Sequence, residues 1–183
     1  MSTIIDHQYP PTDTSIWPTA LKYGAYIGAV GIVLQLLFDL IGFNAYSPDA
    51  SFSEKALGYL GTIVGIVLLV QAVKYVRDEL QNGRISFGKA FGTSIAAGAV
   101  ASVIGALWTY IYFSFINGGA LDEIKEQALQ NAQFDEDAEG ADVALSMLDT
   151  MFSASGFALS ALIGGIFLYA IVSLIIAAIL KRD

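Results

Sequence analysis

A charged segment near the middle of the chain, Lys74–Phe91, reads KYVRDELQNGRISFGKAF and decides how the fold is organised. It carries six charges and lies between two long apolar runs. Asn82 and Gly83 are a turn pair, and Gly83 suits the left-handed conformation that often ends a helix. Ser86 suits the cap of a following helix. The segment is therefore predicted to be the polar turn of a membrane hairpin.

The composition around this segment is that of a membrane protein. Of the 183 residues, 55% are hydrophobic and 14% are charged, against about 25% charged in ordinary soluble domains. A helix needs about 20 apolar residues to cross a hydrocarbon core about 30 Å thick. Four blocks of the sequence reach that length, at about 20–41, 56–76, 87–116 and 152–180.

These blocks predict an all-α fold, a four-helix transmembrane bundle that forms a single membrane domain at 17–183. A polar N-terminal arm, 1–16, precedes it. A short helical, acidic, extracytoplasmic insert, 117–151, is expected between the third and fourth spans. Its apolar spacing predicts an amphipathic helix on each side of a break at 133–140.

Lysine and arginine are distributed unevenly between the two ends of the predicted bundle. Four spans place both termini on one side, and that side carries seven of the nine cations. Those seven are Lys22, Lys74, Arg77, Arg84, Lys89, Lys181 and Arg182. Lys55 and Lys125 fall on the other side. Because loops rich in lysine and arginine stay in the cytoplasm, both termini and the hairpin turn are predicted to be cytoplasmic. An aromatic cluster at Trp108–Phe113 is expected at the outer interface.

The cations of the hairpin turn are candidate docking or lipid-headgroup residues: Lys74, Arg77, Arg84 and Lys89. Asp78 and Glu79 weaken the positive potential of this segment. Arg77 is therefore also interpreted as a local ion-pair partner or an anchor of orientation.

Three polar residues inside the apolar blocks are candidate intramembrane sites: Asp39, Gln35 and Gln71. A carboxylate within the membrane is a functional candidate by default, but Asp39 falls near the outer end of the first span, where water is close. An interfacial acid and a functional or paired acid both remain open. Gln35 and Gln71 are each expected to hydrogen-bond to a neighbouring helix.

Small residues recur at the four-residue spacing that lets helix backbones approach closely. The pairs are Gly24 and Gly28, Gly61 and Gly65, Ser94 and Gly98, Ala101 and Gly105, and Ser160 and Gly164. Packing within the bundle explains such faces, and so does a homo- or hetero-oligomeric contact.

Several kinds of site are not expected from this sequence. The chain has no cysteine and one histidine, His7, in the polar arm. We find no Ser-His-Asp set, no paired catalytic carboxylates, no metal-ligand cluster and no basic stripe for nucleic acid. The acidic run at 135–140 lacks the spacing of a calcium loop. Catalytic, cofactor and metal residues are therefore predicted to be absent, as is a nucleic-acid partner.

The hairpin turn also carries a family resemblance. Tyr75–Glu79 (YVRDE) and Gly83–Phe91 (GRISFGKAF), with Thr109–Phe113 (TYIYF) and Ile176–Arg182 (IAAILKR), are similar to the bacterial membrane family catalogued as domain of unknown function 4199. The resemblance spans about 20–183. It implies a four-helix integral protein of the cytoplasmic (inner) membrane, found mostly in Bacteroidota and relatives, with no established activity. It also implies a small accessory component, and some members lie near genes for membrane glycosyltransferases.

We therefore expect a non-enzymatic membrane protein that acts as an accessory or scaffold subunit. Its partners would be the lipid bilayer and either a second protein or another copy of itself, met through the small-residue faces. The alternatives are a small oligomeric transporter or channel built around Asp39 and Gln35, and a helper of a membrane glycosyltransferase. An enzyme acting on lipids at the interface is disfavoured, because no acid–base pair lies at membrane depth.

Overall fold

The computed structural model describes residues 15–43, 52, 57–131 and 141–182. Its regular secondary structure in these ranges is helical, which confirms the all-α prediction. The helices are α1 Trp17–Leu40, α2 Leu60–Tyr75, α3 Phe87–Ile111, α4 Gly119–Asn131, α5 Ala141–Met151 and α6 Ala154–Leu180. Nearly all of the predicted N-terminal arm and the predicted break at 133–140 lie outside the described residues.

Two of the long helices end in a π-helical turn. α2 continues through Val76–Leu80, and α3 continues through Tyr112–Ile116. With these turns, four helices of 24, 21, 30 and 27 residues are long and apolar enough to cross a membrane. The protein is thus a multi-pass membrane protein. The third of these helices is α3 with its π turn. At about 1.5 Å per residue, it is longer than the hydrocarbon core is thick, so it must tilt or project beyond the core.

The outer surface of the bundle is apolar, as expected for contact with lipid. On α6, Ile163, Phe167 and Ile179 are exposed by 61%, 68% and 73%. A soluble monomer rarely exposes so continuous an apolar patch. The long helices are hydrophobic on all sides, which is typical of membrane spans.

α3 lies at the centre of the bundle and packs most extensively against α6 and α1. Its contacts with α6 recur every four residues in antiparallel order. The Ser173 hydroxyl donates to Ser94 Oγ at 2.9 Å. One turn further, Gly98 lies against Tyr169, and Ser102 then lies against Gly165.

Glycine also allows α1 to approach α3 closely. A Cβ on Gly24 would lie 2.6 Å from Val100 Cβ, and a Cβ on Gly28 would lie 2.6 Å from Ile104 Cγ2. These two glycines, like Gly98, are therefore used for packing inside the bundle. Ser160 and Gly164 are different, because both are exposed on α6.

The two short helices lie at the end of the bundle where α3 ends and α6 begins. Leu121 of α4 is buried in an apolar cluster with Tyr112 and Phe113. The Lys125 ammonium of α4 forms an ion pair with Asp149 of α5. The α4 end of the insert therefore packs on the bundle. Its predicted extracytoplasmic location stays a prediction.

Candidate functional site

A polar cluster lies where α1 ends beside the π turn of α3. Asp39 Oδ1 accepts hydrogen bonds from Gln35 Nε2 at 3.2 Å and from Tyr112 Oη at 3.1 Å. Asn117 Nδ2 donates to Tyr112 Oη at 3.1 Å. We call these four residues the Asp39 cluster. Gln35 thus bonds to Asp39 of its own helix, and the expected bond of Gln35 to a neighbouring helix stays a prediction.

Local backbone geometry brings the members of the Asp39 cluster together. Gln35 and Asp39 are four residues apart on α1, so their side chains share one face. The π turn of α3 is closed by Asn117 N–H, which donates to the Tyr112 carbonyl at 2.9 Å. Tyr112 is buried, with 4% of its surface exposed, and its hydroxyl reaches α1. Single π turns are frequent at functional sites.

The Asp39 carboxylate is only half satisfied. Its Oδ2 atom is buried and has no hydrogen-bond partner within the described part of the chain. Asp39 also lines, with Tyr112 and Asn117, a cavity of about 310 Å³. Burying a polar atom without a partner is costly. The arrangement therefore favours a hydrogen-bond donor or a cation beside Asp39.

A second cavity, of about 380 Å³, opens between α1, α2 and α3. We call it the glycine cleft, because Gly31, Gly61 and Gly105 contribute one wall position from each helix. A Cβ on Gly31 or Gly105 would meet nothing within 4 Å, and one on Gly61 would meet only a Leu34 methyl at 3.9 Å. The missing side chains therefore leave space that no described residue fills.

Polar groups interrupt the apolar wall of the glycine cleft. Gln35, Trp108 and Tyr169 are among its lining residues. Trp108 Nε1 is buried, and among the described residues it has no acceptor. The cleft thus combines an apolar void with an indole N–H donor for which the described part of the chain supplies no acceptor.

The opposite end of the bundle holds the hairpin turn. Asn82 and Gly83 adopt left-handed conformations, with φ of 50° and 86°, and Gly83 N–H donates to the Arg77 carbonyl at 2.8 Å. Ser86 Oγ accepts from Lys89 N–H and caps α3, as predicted. Residues 81–86 form the turn, and we call them, together with 181–182, the hairpin platform.

Backbone pairing ties the two parts of the hairpin platform together. Ile85 N–H donates to the Arg182 carbonyl at 2.9 Å, and Arg182 N–H donates to the Ile85 carbonyl at 2.9 Å. The Ile85 side chain is buried, with 1% of its surface exposed. The turn is therefore fixed both by its own hydrogen bonds and by the segment that follows α6.

The four candidate cations of the hairpin have different surroundings. The Arg77 guanidinium is largely buried and donates to both carboxylate oxygens of Asp78, at 2.7 and 2.9 Å. Lys74 and Arg84 are exposed, and Lys89 is half-buried. In the amide orientation that satisfies its neighbours, Gln81 accepts from Lys89 Nζ at 2.6 Å. Lys74 and Arg84 therefore offer the more accessible charges.

Gln71, the remaining candidate, is exposed on α2, apart from the Asp39 cluster. Within the described ranges, no group of three or more His, Cys, Asp or Glu residues is placed to hold a metal ion. The candidate residues thus fall into one site at each end of the bundle, with Gln71 in neither.

The family comparison covers both ends of this arrangement. The family model described as Protein of unknown function (DUF4199) matches residues 22–182. The chain belongs to this family. The match confirms the resemblance derived from the hairpin turn. No curated protein and no solved structure matches the chain.

In this DUF4199 protein, sequence reasoning placed Gln35 with Asp39, but it missed Tyr112 as a partner of Asp39, and it missed the glycine cleft. Tyr112 and Trp108 were assigned only to an interfacial aromatic belt, and Asn117 only to the start of the insert. The polar residue Asn117 follows the aromatic end of the third apolar block, and this was a sequence signal for a polar contact there. The cleft has no local signal, because its wall comes from four helices, α1, α2, α3 and α6.

Proposed function

We propose that this DUF4199 protein is a non-enzymatic accessory or scaffold subunit of a complex in the bacterial cytoplasmic membrane. In this proposal the hairpin platform lies in the cytoplasm and is the docking surface for a partner protein. The observation that carries the proposal is the two-way backbone pairing of Ile85 with Arg182.

A fixed platform favours docking because little conformational entropy is lost when the partner binds. Lys74, Arg84 and Arg182 present exposed charges at this end of the bundle. They outnumber the exposed acids Asp78 and Glu79, and an excess of positive charge steers an acidic partner and speeds its association. We therefore expect the partner to present an acidic cytoplasmic surface. The family resemblance adds a membrane glycosyltransferase as a candidate partner.

The chemistry of the Asp39 cluster supports a role without catalysis. Asp39 is its single carboxylate, and its other members are two amides and a phenol. General acid–base catalysis uses groups of matched pKa positioned on a substrate. A second carboxylate, a lysine or a histidine beside Asp39 would have favoured an enzyme, and the cluster as built has none of them.

The test is co-purification of the full-length chain from its native membrane in mild detergent, with quantitative mass spectrometry. We expect a stoichiometric partner whose recovery falls in Lys74→Gln and Arg84→Gln and decreases with salt, since exposed charges are screened. Asn131→Asp is the matched control, because it changes net charge by the same single unit at the other end of the bundle. Equal recovery of the partner from all three variants would disprove docking at the platform.

A second candidate, a small oligomeric transporter, is favoured by the partly unsatisfied Asp39 carboxylate. Four helices rarely enclose a pathway, so this function requires self-association, for which the exposed Ser160 and Gly164 are available. Asp39→Asn should then abolish ion or solute flux in proteoliposomes. Flux that is unchanged in Asp39→Asn would remove this residue from the mechanism.

A further inference from the structure

The Asp39 cluster and the glycine cleft are neighbouring parts of one region. Gln35 lines the cleft and donates to Asp39. Trp108 also lines the cleft, and its ring lies 6.2 Å from that of Tyr112, which donates to the same carboxylate. A carboxylate, an indole N–H and an apolar void therefore lie side by side.

The two buried atoms without partners, one on Asp39 and one on Trp108, need opposite hydrogen-bonding groups. Asp39 Oδ2 lacks a donor, and Trp108 Nε1–H lacks an acceptor, within the residues that the structure describes. Both atoms are shielded, and polar groups shielded from water in a membrane protein need internal partners. A single ligand that satisfies both atoms and fills the cleft has three parts: a positively charged hydrogen-bond donor, an acceptor oxygen and an apolar portion.

We propose that this region binds a lipid with a primary ammonium headgroup. The ammonium donates to the Asp39 carboxylate, a phosphate or ester oxygen accepts from Trp108, and an acyl chain enters the glycine cleft. Phosphatidylethanolamine has these three features. Phosphatidylcholine has the same net charge and the same chains, but its quaternary ammonium has no N–H to donate.

The choice of a lipid rests on the cleft as well as on the charge. A bare monovalent cation would satisfy Asp39 alone, and it would leave Trp108 without an acceptor. The cleft lies among helices that are long and apolar enough to cross a membrane, so acyl chains surround it. The bilayer therefore supplies the occupant at high local concentration.

Tryptophan fluorescence provides a direct test. The chain has two tryptophans, so Trp17→Phe leaves Trp108 as the single reporter. This chain is reconstituted in vesicles that contain equal fractions of bromine-labelled phosphatidylethanolamine or bromine-labelled phosphatidylcholine, because bromine quenches tryptophan at short range. We expect phosphatidylethanolamine to compete about tenfold better for the site, as a charge-assisted hydrogen bond allows. Adding Asp39→Asn should remove this preference.

Matched glycine variants test the cleft. Gly61→Leu and Gly105→Leu place a side chain at two half-buried positions in the cleft wall, where an added Cβ would meet nothing closer than 3.9 Å, and quenching of Trp108 should fall. Gly164→Leu is the control, because Gly164 also has open space at its Cβ position but lies on the exposed face of α6. Quenching that is the same in all three variants would overturn the proposal.

Two further outcomes are decisive. Equal quenching by the two lipids in the Trp17→Phe chain would overturn the assignment of an ammonium headgroup. Excess soluble ethanolamine separates a lipid from a free amine. A preference for phosphatidylethanolamine that survives ethanolamine supports the lipid, and a preference that ethanolamine abolishes would overturn it.

Discussion

Replacement of Gly98 by alanine should separate α3 from α6. An added Cβ would lie 2.5 Å from Tyr169 Cβ and 2.7 Å from Tyr169 Cγ. Carbon atoms pack at about 3.5–4.0 Å, so the two helices would have to move apart by about 1 Å. The tyrosine cannot relieve the clash by changing rotamer, because its Cβ is fixed to the backbone.

The size of the effect follows from comparison with Gly164→Ala. Gly164 is also inside a long helix, but nothing lies within 4 Å of its Cβ position. Both variants gain the preference of alanine over glycine for helix, about 1 kcal/mol, and this gain cancels between them. The remaining difference is the cost of overpacking, about 1–3 kcal/mol. Gly98→Ala should be the less stable variant by that amount.

The assay is reversible unfolding in mixed micelles with increasing sodium dodecyl sulfate, followed by circular dichroism. The quantity compared is the free energy of unfolding of Gly98→Ala and Gly164→Ala at the same micelle composition. If Gly98→Ala is as stable as Gly164→Ala, the close approach of α3 and α6 at Tyr169 is wrong.

Three further predictions concern single hydrogen bonds. A double-mutant cycle of Ser94→Ala and Ser173→Ala should give a coupling energy of about 0.6 kcal/mol, the average for side-chain hydrogen bonds between membrane helices; zero coupling in the same unfolding assay would contradict the pair. Arg182→Pro removes the N–H that donates to Ile85, so hydrogen exchange at Ile85 should accelerate, whereas Arg182→Ala should leave it unchanged. Ser153→Ala removes the cap of α6 and should lower the free energy of unfolding by about 1 kcal/mol, and Ser153→Asp should restore it.

The hairpin turn could be predicted because its signals are local. Asn82 and Gly83 adopt left-handed conformations, which asparagine tolerates better than most residues and glycine adopts freely because it has no Cβ. Ser86 caps the helix that begins after it. The four apolar helices were equally accessible, since length and hydropathy alone identify a span. Such features depend on residues that are near one another in the chain.

The candidate site could be predicted only in part, because its contacts join distant residues. Asp39 was singled out as an acid inside an apolar block, but the bond from Tyr112 spans 73 residues of sequence. The long helices are apolar on every side, so hydropathy does not show which face meets α3. For the same reason the spacing of Gly31 and Gly105 could not show that they open one cavity.

The contact between α3 and α6 also limits how α6 can move. The two helices touch at three levels, Ser94 with Ser173, Gly98 with Tyr169, and Ser102 with Gly165. Tyr169 is the one large side chain in this set, and it fits opposite Gly98. A slide of α6 by one turn in either direction would place the ring against Ser94 or Ser102 in place of a glycine. Tyr169 therefore fixes the vertical register of the two helices. A piston-like displacement of α6 along its axis is therefore opposed by the packing of this one ring.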